Sequence, residues 1–232
     1  MESEIKEMEN ENGLLWAYYR GEKALSPSSL VEILKLIEYE NKQIPKHVLQ
    51  KAAENGKLFH QIIQEFVRTG NDLTQKTKIS FSVQKKLQET ICFLEQNKKI
   101  LDSNRFLKSE KLHHTFYKGI LIASYVDLEF DDCIVELKSN NIKMHESSLT
   151  LLAFQIQLLI QHLCTKKEVY LLWSTGSQVI FHHFQVTPGL LKVLDTLIEL
   201  VQKKDSYNLE EKKVIVEKIL LEYSPCKLIN LK

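Results

Sequence analysis

The sequence predicts an α+β protein: a central mixed β-sheet of four or more strands flanked by helices, with helical additions at both ends. Three observations carry this. Residues 120–139 and 168–186 each read as two short strands around a tight turn. Between them runs one strongly apolar helical stripe. Before and after them, apolar residues recur at helical spacing.

Taken in order, residues 1–12 are rich in Glu and are expected to be frayed or loosely helical. The apolar run LLWAYY, 14–19, reads as a first element or a partner contact. Residues 1–24 are therefore assigned as an acidic, partly flexible segment, and 25–232 as a single domain with its core over about 45–186. Ser26-Pro27 reads as a helix N-cap followed by proline at the first helical position, with Leu30, Ile33, Leu34 and Ile37 on its apolar side. A second helix runs from Pro45 through Phe59, Ile63 and Val67 to Gly70. Within it Gly56 and His60 share a face, four residues apart. Glycine there weakens the helix by about 1 kcal/mol relative to alanine, and is useful where a ligand or another backbone must come close to His60. A hydrogen-bonded structural histidine is the plainer reading. Ser82 is expected to cap a third helix with Val83, Leu87, Ile91 and Leu94 buried.

The hairpin at 120–139, ILIASYVDLEFDDCIVELKS, is the most informative stretch. With Asp131-Asp132 as its loop, Phe130 pairs with Cys133, Asp127 with Glu136 and Tyr125 with Lys138. Alternation puts Asp127, Glu129, Glu136 and Lys138 on one face, and Val126, Leu128, Phe130, Cys133, Val135 and Leu137 on an apolar one. Like charges facing each other on paired strands destabilise a sheet. A hard divalent cation such as Mg²⁺ or Mn²⁺, bound by carboxylates and the Leu137 carbonyl, would reverse that sign. A solvated face with a weak Glu136–Lys138 ion pair is the other reading.

After a polar link, Ser147 or Ser148 starts a helix with Leu149, Leu152, Ile156, Leu159, Ile160 and Leu163 in one stripe, and Gln155 and Gln157 on opposite shoulders. Strands follow at 168–174 and 179–186, where His182 and His183 face opposite ways. Helices then follow from Pro188 to about 201 and over 209–223.

The formal net charge is +1 and 44% of the 232 residues are hydrophobic, so a sizeable core forms and no global basic signature exists. Local charge differs. Residues 75–118 hold ten basic against four acidic residues, a net of +6. Lys76, Lys78, Lys85, Lys86, Lys108, Lys111 and Lys118 are candidates for tracking a phosphate backbone, with Phe106, Phe116, Tyr117 and later Tyr125 available for stacking. A solvated helix face is the competing reading. Cys92, Cys133, Cys164 and Cys226 are widely spaced, which suggests neither a zinc site nor a disulfide framework. No apolar run reaches membrane-spanning length and no apolar signal core opens the chain. A soluble intracellular protein, cytoplasmic or nucleoid-associated, is expected.

The order of these features resembles the PD-(D/E)XK nucleases of the RecB-like exonuclease branch. The family's G-x-x-x-H is matched by Gly56 to His60, its strand aspartate by Asp127, its D/E-x-K by Glu136-Leu137-Lys138, and its helix glutamine by Gln155 or Gln157. Glu110 matches an upstream glutamate and Leu25 to Leu30 a serine-rich helix start. Departures are Ser124 in place of the usual glycine three before the aspartate, and Leu159 and Gln161 where an aromatic usually follows the glutamine by four.

The resemblance implies a restriction-endonuclease-like core and metal-dependent hydrolysis of DNA, as an exonuclease in replication, repair or recombination, including phage or mobile-element metabolism. His60, Asp127, Glu136, the Leu137 carbonyl and Glu110 would hold one or two Mg²⁺ or Mn²⁺ ions. Lys138, with Gln155 or Gln157, would serve the water or the phosphate. Some members carry a four-cysteine iron–sulfur cluster; the isolated Cys226 leads to the expectation of none here. The expected partner is DNA, as single strands or duplex ends. A protein partner or a second copy is allowed for, and a membrane is not expected. A non-catalytic binding module and an endonuclease of the same superfamily are the alternatives.

Overall fold

The computed structural model describes residues 5–9, 14–39, 44–72, 74, 79–97, 105–140, 148–203 and 206–223. A small antiparallel sheet comes first: β1 (Ile5–Glu9), β2 (Leu15–Tyr19) and β3 (Glu22–Lys23). Helices α1 (Pro27–Tyr39), α2 (Lys46–Thr69) and α3 (Phe81–Gln96) follow. The main sheet is built from β4 (Phe106–Tyr117), β5 (Ile120–Phe130), β6 (Cys133–Lys138), β7 (Glu168–Ser174) and β8 (Val179–His183). Helix α4 (Ser148–Thr165) joins β6 to β7, and α5 (Pro188–Gln202) and α6 (Leu209–Glu222) come last.

The main sheet has the order β4-β5-β6-β7-β8. Its neighbours are antiparallel except β6 and β7, which run parallel and are bridged by α4, as a parallel pair requires. Helices cover both faces. Ile134, Val169, Leu171 and Trp173 pack against α1, α4, α5 and α6. Leu128, Phe130, Val135, Leu137 and Leu172 pack against Phe59, Ile63 and Val67 of α2 and Leu87 and Ile91 of α3. The predicted mixed sheet flanked by helices is thus present, with five strands.

Local chemistry sets the element ends. The Ser29 N–H donates to the Ser26 hydroxyl at 3.2 Å, capping α1 ahead of Pro27. Gly70 ends α2 with φ of 74°. The Thr187 hydroxyl accepts from the Leu190 N–H ahead of α5, and Asn208 with Glu211 forms a capping box on α6.

Several expectations are corrected. Residues 5–9, expected to be frayed or helical, pair with β2 as a strand. Alanines 17, 24 and 123 are nearly fully buried where this small sheet lies on β5. Residues 106–117, read only as basic and aromatic, form the edge strand β4. Ser80, not Ser82, stands at the N-cap position of α3, without a capping bond from its hydroxyl, and β8 ends at His183. Cys226 and Lys76 and Lys78 lie outside the described residues.

Where β5 and β6 pair, the register agrees with the predicted one, with Leu128 opposite Val135 and Glu129 opposite Ile134, but the expected Asp127–Glu136 and Tyr125–Lys138 pairs do not form. Beyond those pairs the two strands part. The alternation breaks at the same point: Val126 belongs to the α4 side of the sheet and Leu128 to the α2 side. Opposite the break, Glu110 of β4 adopts φ of 50°. The freed edge of β5 is covered by the chain entering α1. The Leu25 N–H donates to the Leu121 carbonyl and its carbonyl accepts from the Ala123 N–H, both at 2.9 Å.

Candidate active site

The parting of β5 and β6 opens the wedge in which the site forms. Asp127 Oδ2 accepts the Leu137 N–H at 2.8 Å, so a side chain takes the bond that a continued ladder would have made. Asp127 Oδ1 lies 3.3 Å from His60 Nδ1. His60 stands where α2 passes the wedge, because Phe59, Ile62, Ile63 and Val67 turn the apolar face of α2 to the sheet. One turn earlier, a Cβ at Gly56 would meet no atom within 4 Å, so the helix surface there is open.

Glu136 is 2% exposed and every side-chain oxygen it has accepts a hydrogen bond. Oε1 accepts from the Lys138 ammonium and from Gln157 Nε2, the latter at 2.6 Å. Oε2 accepts from Gln161 Nε2 at 2.6 Å. Lys138 Nζ also donates to Gln157 Oε1 at 3.0 Å. Gln161 Nε2 donates in addition to the Tyr125 carbonyl at 2.9 Å. Helix α4 therefore spans the wedge, gripping β6 through Glu136 and β5 through Tyr125.

These contacts set the ionisation. Burial pushes Asp127 up, but His60, Lys138 and the Leu137 N–H outweigh it and hold the carboxyl below its ordinary value. Burial, reinforced by the negative Asp127, lifts Glu136 above the ordinary range despite Lys138 and Gln161. Burial works against charge on Lys138 and His60, yet both are raised, Lys138 by Glu136 and Asp127, and His60 chiefly by Asp127.

Of the residues singled out in the sequence, Asp127, Glu136, Lys138, His60 and Gln157 come together. Gln155 lies about 200° from Gln157 around α4, buried at 3%. Glu110 sits on β4 opposite Asp127 with an exposed side chain. Glu129 belongs elsewhere: it pairs with Lys111 at 3.2 Å, His113 at 3.1 Å and Lys167 at 2.9 Å. Among the basic candidates, Lys86 is buried and donates to the Ser139 carbonyl at 2.6 Å, Lys118 pairs with Asp195 at 2.7 Å, and Lys85 lies 3.7 Å from Glu89. Lys108 is exposed. The Tyr125 hydroxyl donates to the Leu15 carbonyl at 2.5 Å.

Gln161 received no role from the sequence. Its signal is spacing: Gln157 and Gln161 are four apart and share a helix face, and a glutamine with no exposed surface interrupts an apolar helix.

Two clefts meet at Lys138. One, of about 460 Å³, is lined by Asn55, Gly56, His60, Ser82, Lys86 and Asn140. The other, of about 310 Å³, is lined by Trp16, Ser28, Lys35, Tyr125, Phe154 and Gln157.

The donor chemistry fits a hard divalent cation. Glu136 is buried, Asp127 is half-buried near it, and the His60 imidazole beside Asp127 lines the larger cleft; the negative Asp127 disfavours charge on Glu136, which a cation would relieve. They are not splayed into a ready cage: among the described residues no group of three or more His, Cys, Asp or Glu side chains converges on one point.

No family model matches the chain, and no curated protein matches it. Among solved structures, SSO0001 superposes over 79% of this chain and 77% of its own, with 14% identity and a TM-score of 0.45. A Eubacterium rectale protein named "Putative exonuclease" superposes over 89% of this chain and 86% of its own, with 14% identity and a TM-score of 0.41. Likeness at this level leaves function to the geometry of the site.

Proposed function

We propose that the chain is a metal-dependent nuclease of the PD-(D/E)XK type, RecB-like branch, that hydrolyses DNA phosphodiesters as an exonuclease. One observation carries the reading: buried Glu136 is joined to Lys138 and Gln157 in one hydrogen-bonded network that reaches both clefts, and Asp127, held by the Leu137 N–H and His60, stands near it. Purely structural use of the site is costly, since a second carboxylate lies near a buried one.

Asp127 and Glu136, with His60 and the Leu137 carbonyl, would hold Mg²⁺ or Mn²⁺. When bound, the ion supplies Lewis-acid activation of water and neutralises charge on the phosphate oxygens. Lys138, whose charged form Glu136 and Asp127 favour, would orient the attacking water or take its proton, or steady the anionic phosphate. Gln157 fixes both Lys138 and Glu136, which limits the freedom of each. The water oxygen bonds to phosphorus and gives up one proton to solvent or Lys138, the bond to the leaving sugar oxygen breaks, and that oxygen takes a proton from solvent.

The test is a substrate panel of circular, blunt linear and end-labelled single-stranded DNA, with Mg²⁺ or Mn²⁺ and with chelator. Cleavage of linear but not circular DNA, stopped by chelator, is the expected result. Undiminished cleavage in excess EDTA would remove the metal mechanism, and cutting of circles would make the enzyme an endonuclease. The saturated oxygens of Glu136 favour a second reading, a non-catalytic nucleic-acid-binding module. Tight DNA binding with no cleavage at any divalent-metal concentration would establish it.

A further inference from the structure

The smaller cleft has a feature that phosphate hydrolysis does not need: aromatic side chains from three separate elements. Trp16 comes from β2, Tyr125 from β5 and Phe154 from α4. Each is half-buried and held. Lys23 Nζ sits 3.4 Å from the centre of the Trp16 ring, the Tyr125 hydroxyl is bonded to the Leu15 carbonyl, and Phe154 packs edge-on against Trp173. The Trp16 indole N–H is buried without a hydrogen-bond partner among the described residues, although a buried tryptophan usually finds one. Exposed Lys35 and the hydroxyls of Ser26 and Ser28 complete the rim, and Lys138 and Gln157 form the end nearest the carboxylates.

We propose that this cleft is a subsite for one unpaired nucleotide of the substrate strand, next to the phosphate that meets Lys138. Trp16 carries the base and Lys35 the flanking phosphate. The volume of about 310 Å³ lies at the small end of ligand pockets and admits one nucleotide, not a base pair with both backbones. Aromatic faces bind any base by stacking, so the subsite selects strandedness and not sequence. The small N-terminal sheet thereby becomes part of the substrate machinery, because it supplies Trp16.

This rests on reading the neighbouring site as a nuclease, but its test does not need catalysis. The chain has two tryptophans. Trp173 is fully buried and donates to the Asn140 carbonyl, so the part of an emission change on binding that is lost in Trp16→Leu reports Trp16. Full-length protein in EDTA is titrated with a single-stranded oligothymidine of about ten nucleotides, with anisotropy of the labelled strand read in parallel. Saturable quenching is expected, with none from a covalently closed circular duplex. Trp16→Leu is expected to lose the quenching and bind about tenfold more weakly. Trp16→Phe keeps a ring and retains most of the affinity. Lys35→Ala, at an exposed position, keeps the quenching while lowering the salt slope of binding by about one. Saturation by anisotropy without quenching overturns the subsite, as does unchanged affinity in both Trp16→Leu and Lys35→Ala. Cleavage in Mg²⁺ without quenching removes the subsite and leaves hydrolysis standing; quenching with no cleavage in either metal does the reverse.

Discussion

Glu136 holds the site together at the scale of single residues. Lys138, Gln157 and Gln161 donate to its two oxygens. Removing Lys138 takes the ammonium from buried Glu136 and the positive charge that also favours ionised Asp127. Lys138→Met is expected to lower the cleavage rate by about 10²- to 10⁴-fold and stability by on the order of 3 kcal/mol. A urea midpoint read beside the rate separates the two effects. Gln161→Leu should act differently, because Gln161 bonds Glu136 and the backbone carbonyl of Tyr125 and neither Lys138 nor Gln157. A loss of about 10- to 100-fold in Mn²⁺ affinity is expected, with KM for DNA unchanged; isothermal titration of the metal alone checks it, and wild-type affinity would show Gln161 to be structural. Asp127, Glu136 and Lys138 were picked out by counting outward from the turn, yet what sets their places is the parting of β5 and β6 and not the Asp127–Glu136 and Tyr125–Lys138 pairs that the count gave. The choice of Gln157 over Gln155 was not legible in the sequence, since a stripe tells which face of α4 is buried but not what lies beside each shoulder. Nor was the break at Val126, which depends on Asp127 replacing a backbone bond and on the positive φ of Glu110 across from it.

At the scale of elements, strands and helices with strong periodicity were readable, and caps and turn residues gave some of their ends but not the start of α3 or the end of β8. The exception in the main sheet is β4. Its sequence FLKSEKLHHTFY does not alternate cleanly, because it is an edge strand whose side chains meet solvent, the small sheet and the Glu129 cluster in turn. The readable signal was the turn after it: Lys118 and Gly119 have φ of 49° and 83°, as a two-residue hairpin loop demands. Gly119→Ala puts a Cβ into that left-handed conformation with open space around it, so the cost is conformational alone. A loss of about 1 to 2 kcal/mol is expected, read as a lower urea midpoint with unchanged slope. A larger loss would mean that the β4–β5 pair nucleates the sheet. β1 escaped detection for a related reason. It is IKEME, polar by composition, and becomes a strand only because β2 offers it an edge.

At the scale of the whole molecule, Glu129 ties together parts that the site itself does not. Its carboxylate, 4% exposed, meets Lys111 and His113 of β4 and Lys167 between α4 and β7. Burial resists the charge, but Lys167, His113 and Lys111 outweigh it and hold the carboxyl at about 2, below the ordinary 4.5. The sign follows from that depression. Above the unfolded value the folded state gains from an ionised Glu129, and the gain is lost as pH falls through 4.5 toward 2. Glu129→Gln is therefore expected to cost on the order of 2 kcal/mol at neutral pH. The cost should shrink steadily as the solution is acidified across that window, until the two proteins unfold alike near its lower end. Urea unfolding of both at a series of pH values measures it. A difference that stays constant with pH would mean that shape and not charge holds β4 to the rest of the sheet, and that the three basic groups are there for another reason.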